Sequence, residues 1–147
     1  FHFLEQVKEL DWKDYNEAQL QQLQSEGKTV MVDFGAKWCV NCIVNYEVAL
    51  NTAKTRKVMD ELGAVAMYAD WTDPDEKIKQ KLSELDSRSI PLLVIYPGDR
   101  SKAPIIMRDL VTQQAVVDAL RRAGASVSSS SLSLSARDQD VATIAPQ

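Results

Sequence analysis

Residues 32–42 of this 147-residue chain read VDFGAKWCVNC and contain both of its cysteines, Cys39 and Cys42. The run from Thr29 to Phe34 is apolar or β-branched with one exception, which is typical of a strand that is buried on both faces. The run from Ile43 to Leu50 is compatible with a helix. Two thiols separated by two residues at a strand-to-helix junction are placed to make and break one short disulfide.

Length, charge and cysteine count argue against several classes of partner and of site. The length suits one domain, and a net charge of −4 argues against a nucleic-acid partner, which usually needs a basic face. Two cysteines and a single histidine, His2, are too few for a disulfide scaffold or a closed zinc site. We therefore expect no metal and no cofactor beyond a redox-active disulfide between Cys39 and Cys42.

The rest of the pattern predicts alternating helices and strands. Helices are expected at 14–26, from 39 or 40 to about 50, at 56–62, from a cap at Asp73 to about 85, and from a cap at Thr112 to about 123. Strands are expected at 29–34, 64–70, 92–96 and 105–107, the last two as a hairpin. We therefore expect an α/β fold, in which a mixed sheet of about four strands is flanked by helices on both faces.

Residues 10–124 are expected to form the domain, after a lead-in at 1–9. From residue 125 the composition changes, and four consecutive serines, Ser128 to Ser131, predict a flexible Ser-rich tail over 125–147. The chain begins with Phe1 and shows neither a signal peptide nor a membrane span. We expect it to derive from a longer precursor.

Thiol chemistry assigns different tasks to the two cysteines. A thiol attacks a disulfide only as the thiolate, so the site must stabilise negative charge on one sulfur. Cys39 at the start of a helix would face unpaired backbone amides and attack, while Cys42, one turn further in, would resolve the mixed disulfide. From spacing alone, half of a metal site and two inert buried thiols remain open alternatives.

The stretch at 32–42 resembles the active-site segment of the thioredoxin superfamily, and Ile90-Pro91 resembles its cis-proline loop. Three further features resemble the C-terminal thioredoxin-like domain of the DsbD family of transmembrane thiol-disulfide interchange proteins: residues 28–33, Val40, and the run ADWT at 69–72. The resemblance covers about residues 10–124. It implies a thioredoxin-like fold and a thiol-disulfide oxidoreductase.

The resemblance also implies supporting roles. Asp33 would relay protons to Cys42, and a carboxyl in an apolar strand should have a raised pKa. The alternative is a strand-end aspartate whose carboxylate lies in solvent. Pro91 would be cis and face the dithiol, which leaves the backbone of Ile90 open to a substrate strand. Trp38 would cover one side of the disulfide, with simple aromatic packing as the alternative.

Some positions depart from the pattern of these families. Gly35 stands where thioredoxins usually have a second aromatic, Val40-Asn41 replaces Gly-Pro, and Leu92 follows the proline where threonine is common. The DsbD domain has an acid where this chain has Tyr46. We interpret its neighbour Glu47 as a solvated helix residue.

The uncharged Val40 and Asn41 between the cysteines predict a reductant, since oxidants of this superfamily often place a histidine there. The DsbD resemblance implies a monomeric domain on the extracytoplasmic, periplasmic side. It would receive electrons from a membrane-embedded domain and pass them to disulfide-bearing proteins, including factors of cytochrome c biogenesis. Two alternatives stay open: a cytoplasmic thioredoxin-like protein, and a thioredoxin-fold binding module with an incidental dithiol.

Overall fold

A computed structural model describes residues 8–127 of the chain. The strands are β1 (Trp12–Asp14), β2 (Val30–Gly35), β3 (Val65–Asp70), β4 (Leu92–Tyr96) and β5 (Ile105–Arg108). The α-helices are α1 (Glu17–Ser25), α2 (Val40–Asn45), α3 (Ala53–Leu62), α4 (Glu76–Glu84) and α5 (Gln113–Ala123). A π-helical turn, Tyr46–Leu50, continues α2.

The strands form one sheet in the order β1-β3-β2-β4-β5. β3 runs parallel to both β1 and β2, whereas β4 is antiparallel to β2 and β5 is antiparallel to β4. The predicted mixed sheet and its final hairpin are therefore confirmed. β2 is the central strand of the sheet. The segment that follows its C-terminal end, which includes both cysteines, therefore begins at the middle of the sheet.

The residues of β2 are all buried, because helices cover both faces of the sheet. Met31 belongs to the cluster formed with α3 and α5, while Val30, Val32 and Phe34 belong to the cluster formed with α1 and α4. This alternation follows the two-residue period of a strand. The predicted arrangement of helices on both faces is confirmed.

The secondary structure of residues 12–16 differs from the prediction. β1 is a fifth strand that the sequence did not predict, and it includes Asp14, which was expected to begin a helix. α1 begins only after Asn16, whose side chain accepts a hydrogen bond from the backbone N–H of Gln19 at 2.9 Å. β1 escaped prediction because it has three residues, of which Lys13 and Asp14 are exposed, so it shows no apolar pattern.

The start of α4 also differs. Asp73 was expected to cap this helix, but the cap is Asp75, and the helix begins at Glu76. The carboxylate of Asp75 accepts hydrogen bonds from the backbone N–H groups of Lys77 and Ile78, at 2.9 and 3.2 Å. Two free N–H groups at a helix start are satisfied by one side chain, which favours this register.

Ordered contacts continue beyond residue 124. The Ser126 hydroxyl accepts from the Thr29 N–H at 2.9 Å and donates to the Gly63 carbonyl at 2.7 Å. The Val127 N–H donates to the Gly27 carbonyl at 2.7 Å. Residues 126 and 127 are thus bound to the domain, although they were expected in the flexible tail. The remainder of that tail, 128–147, and residues 1–7 of the lead-in lie outside the described residues.

Candidate active site

Cys39 and Cys42 form a disulfide whose Cα atoms are 5.2 Å apart. Cys39 caps α2: its backbone is extended, and its sulfur accepts a hydrogen bond from the Cys42 N–H at 3.2 Å. Both side chains are buried, Cys39 with 8% and Cys42 with 4% of the surface exposed. The sulfur of Cys39 thus faces the amide end of the helix, where negative charge is stabilised, as the sequence predicted.

The loop after β3 forms hydrogen bonds with the two residues that precede Cys39. The backbone N–H of Lys37 donates to the Thr72 hydroxyl, and the indole N–H of Trp38 donates to the Thr72 carbonyl, both at 3.0 Å. Trp38 is 62% exposed and therefore lies at the surface beside the motif. Its role as a cover for the disulfide stays a prediction.

The loop before β4 approaches the disulfide from another side. The peptide bond between Ile90 and Pro91 is cis, and Ile90 packs against the small cluster of Ala36, Cys39 and Cys42. Pro91 is buried, whereas Ile90 is partly exposed. The structure therefore brings Ile90 and Pro91 to the dithiol, as expected from the sequence.

Asp33 lies in the middle of β2 with only 2% of its surface exposed. Its Oδ2 atom makes no hydrogen bond within the described part of the chain. Burial disfavours the charged form and raises the pKa of the carboxyl from 3.8 to about 7. The alternative of a solvated strand-end aspartate is wrong. A carboxyl with this pKa can take up and release a proton near neutral pH.

Gly35 is the last residue of β2, and its lack of a side chain leaves space for Tyr68. A Cβ atom at this position would lie 2.9 Å from the hydroxyl oxygen of Tyr68 and 3.4 Å from the Cβ of Cys42. Tyr68 pairs with Asp33 across β2 and β3, so both side chains project from the same face of the sheet. The missing aromatic at residue 35 is thus replaced by an aromatic from the next strand.

A cavity of about 220 Å³ opens beside Cys42, between the motif and the β1 edge of the sheet. Its lining includes Trp12, Cys42, Tyr46 and Tyr68. The Trp12 ring lies 5.7 Å from that of Tyr46 and 6.4 Å from that of Tyr68, measured between centroids. The pKa of each tyrosine is raised, first by burial and then by the charge of Asp33. Burial thus favours the protonated form of both hydroxyls.

Glu47 differs from the expectation of a solvated residue. One of its carboxylate oxygens, Oε1, is buried and makes no hydrogen bond within residues 8–127. The π-helical turn explains this placement, because it inserts an extra residue per turn and so changes the face to which residues after Asn45 point. Tyr46, rather than Glu47, lines the cavity beside Cys42.

A third loop, after β5, contacts the second residue between the cysteines. The side-chain amide of Asn41 donates to the Asp109 carboxylate at 3.0 Å, and that of Asn45 donates to the Asp109 carbonyl at 2.9 Å. Val40, by contrast, is 71% exposed. Three loops thus surround the disulfide, those after β3 and β5 and that before β4.

Four neighbours of the motif were not predicted from the sequence: Tyr68, Thr72, Asn45 and Asp109. Asn41 and Asp109 are 68 positions apart, and no local pattern indicates that such residues meet. The one usable signal was Gly35: a glycine in place of a bulky residue beside the motif indicates that another group fills its space. Tyr68, in the next strand, is that group.

Comparison with known proteins agrees with this geometry. A family model described as Thioredoxin-like matches residues 11–98. The chain belongs to the thioredoxin-like family. It is 32% identical over 84 residues to a thioredoxin of Mycoplasmoides gallisepticum, covering 55% of this chain and 72% of that protein.

Another thioredoxin-like relative is the thiol:disulfide interchange protein DsbD of Photorhabdus laumondii, 30% identical over 82 residues. The match covers 55% of this chain but only 14% of that much longer protein. The solved C-terminal domain of Neisseria meningitidis DsbD in the oxidised form superposes with a TM-score of 0.59 at 18% identity. That superposition covers 73% of this chain and 95% of the domain, and it confirms the predicted thioredoxin-like fold.

Proposed function

We propose that this protein is a thiol-disulfide reductant that passes two electrons from a Cys39/Cys42 dithiol to disulfides of partner proteins. The observation that carries the proposal is the setting of Cys39. Its sulfur accepts from one backbone N–H at a helix start, and the residues between the cysteines, Val40 and Asn41, are uncharged. A helix terminus stabilises a thiolate by about 0.3–2 kcal/mol, which is too little to make the disulfide strongly oxidising.

The proposed reaction has two steps. The Cys39 thiolate attacks one sulfur of the partner disulfide, forms a mixed disulfide and releases the other partner sulfur as a thiolate. Cys42, once deprotonated, attacks the Cys39 sulfur, which forms the intramolecular disulfide and releases the second partner sulfur as a thiolate. Both partner thiolates then take up protons from solvent. Asp33, with a pKa near 7, accepts the proton of Cys42 as it becomes a nucleophile. No cofactor is needed in this scheme.

Trapping tests the roles of the cysteines. The Cys42→Ser variant should accumulate a mixed disulfide with a model substrate, because the resolving thiol is missing. The matched Cys39→Ser variant should not. Non-reducing electrophoresis separates the two results. Activity that survives Cys39→Ser would instead favour a binding module with an incidental dithiol.

The direction of electron flow is tested by equilibrium with glutathione. A reduction potential between about −270 and −200 mV supports a reductant. A potential near about −120 mV, typical of a strong oxidant, would exclude it.

The similarity to DsbD suggests a place in a larger system. We propose that the protein acts as an extracytoplasmic, monomeric domain that takes electrons from a membrane-embedded donor and supplies disulfide-bearing acceptors, including those of cytochrome c biogenesis. Within residues 8–127, no helix combines the length and hydrophobicity that crossing a bilayer requires. Rapid reduction by a purified DsbD membrane domain in detergent would support this placement.

A second candidate is a free-standing thioredoxin, which the 32% identity to the Mycoplasmoides thioredoxin favours. Turnover by thioredoxin reductase and NADPH, without reduction by the membrane domain, would select it.

A further inference from the structure

The loop after β5 is bound to two other parts of the site through Asp109. The Asp109 N–H donates to the Pro91 carbonyl at 3.1 Å, and the Asp109 carbonyl accepts from Asn45. The other end of the Asn45 amide accepts from the Val111 N–H at 3.0 Å. Asn45 is buried, so these bonds are shielded from water. The loop is therefore held in place against both the Pro91 loop and the helix that carries Cys42.

Asp109 itself has an unusual backbone. Its φ angle is 61°, in the left-handed region that favours glycine and that aspartate tolerates better than most residues. Its side chain is exposed, and the carboxylate is held by the Asn41 amide, which comes from between the two cysteines. A fixed negative charge thus lies on the rim of the dithiol.

The neighbouring cation is turned away from this charge. Arg108 donates to the Leu85 carbonyl at 3.2 Å, beside α4, whereas Met107 packs into the cluster formed with α3 and α5. Alternate residues of a strand point to opposite faces, so Arg108 points to the face opposite to Met107, toward the end of α4. The Asp109 carboxylate is therefore available to an approaching partner.

We propose that Asp109 is a specificity-determining residue, which selects partner segments that carry Lys or Arg next to the target cysteine and disfavours acidic ones. The inference rests on the proposed reductase function. Two exposed apolar residues adjoin the hydrogen-bonded pair of Asp109 and Asn41 in sequence: Leu110 follows Asp109, and Val40 precedes Asn41. They provide a surface for the aliphatic stem of a Lys or Arg side chain whose charged end meets Asp109.

The experiment measures single-turnover reduction of two disulfide-linked peptide dimers, identical except for Lys or Glu beside the cysteine. Reduced protein is mixed with each dimer, quenched with acid and analysed by chromatography. The variants are Asp109→Asn, which keeps an acceptor for Asn41 without the charge, and Asp109→Gly, which suits the left-handed backbone if asparagine folds poorly. Asp60→Asn, which removes an exposed carboxylate from α3, is the matched control.

Wild type should reduce the Lys peptide faster than the Glu peptide, and the rate ratio should fall by about two- to fivefold in both Asp109 variants. The ratio should also shrink at about 0.5 M salt, as expected for a charge on the rim of an interface. Asp60→Asn should keep the wild-type ratio. Equal rates for both peptides in wild type, or a ratio unchanged in both Asp109 variants, would overturn the inference. Absence of any reduction by wild type would instead contradict the proposed function.

Discussion

The substitution Asp33→Asn is expected to stabilise the protein and to slow its chemistry. Burial raises the pKa of this carboxyl from 3.8 to about 7, so the native state keeps a proton that the unfolded chain has already released between these pH values. The native state therefore binds more protons than the unfolded state, and wild-type stability falls as the pH rises through this window. The asparagine variant has no such proton to lose.

The magnitude follows from the pKa difference. A shift of about 3 units at about 1.4 kcal/mol per unit gives about 4 kcal/mol in the free energy of unfolding. The stability difference between Asp33→Asn and wild type should therefore grow in favour of the variant by about 4 kcal/mol between pH 4 and pH 8. Most of the growth should occur below pH 7, where the unfolded chain has lost the proton and the native carboxyl still keeps it.

Guanidinium unfolding at several pH values measures this difference, with both proteins oxidised so that the same disulfide constrains each unfolded chain. Asp60→Asn again controls for the loss of one carboxyl. A difference that stays constant within about 0.5 kcal/mol from pH 4 to pH 8 would refute a raised pKa at Asp33. Exchange should slow in Asp33→Asn near pH 7, and an unchanged rate would remove Asp33 from the mechanism even if the stability result holds.

Two further predictions concern packing around the site and the end of the domain. Gly35→Ala should lower the free energy of unfolding by about 1–3 kcal/mol, because the new Cβ would lie 2.9 Å from the Tyr68 hydroxyl. Adding Tyr68→Phe should recover at least half of that loss, and a double variant no more stable than Gly35→Ala would rule out this contact as the cause. A chain ending at residue 124 should be about 2–4 kcal/mol less stable to urea than one ending at residue 127, because Thr29 and two glycines lose their bonds to residues 126 and 127. Equal stability of the two truncated chains would show that these bonds contribute nothing.

The parts of the fold that could be predicted are those with strong local signals. β4 is a continuous apolar run and β2 is one apart from Asp33, and the cap of α5 at Thr112 with Gly124 after its end follows the usual helix boundaries. β1 could not be predicted, because a three-residue edge strand is stabilised by pairing with β3 rather than by its own pattern. The cap of α4 was misplaced because two aspartates, Asp73 and Asp75, offered similar signals.

The same distinction applies to the site. The cysteine motif, Asp33 and the Ile90-Pro91 loop are recognisable in sequence because each carries its own chemical signal. The residues around them are not, because their positions depend on where loops distant in sequence meet. Asn45 shows the difference: in sequence it is an ordinary polar helix residue, yet both ends of its amide bind a loop more than 60 positions away.

The contacts of Ser126 and Val127 have a practical consequence for how the protein can be tethered. They place residue 127 at the Gly27 end of β2. The disulfide follows the other end of this six-residue strand, about 17–20 Å away. Lys8, by contrast, lines the cavity beside Cys42. A surface, dye or fusion partner attached after residue 127 therefore leaves the dithiol open to large substrates, whereas the same attachment just before residue 8 would crowd it.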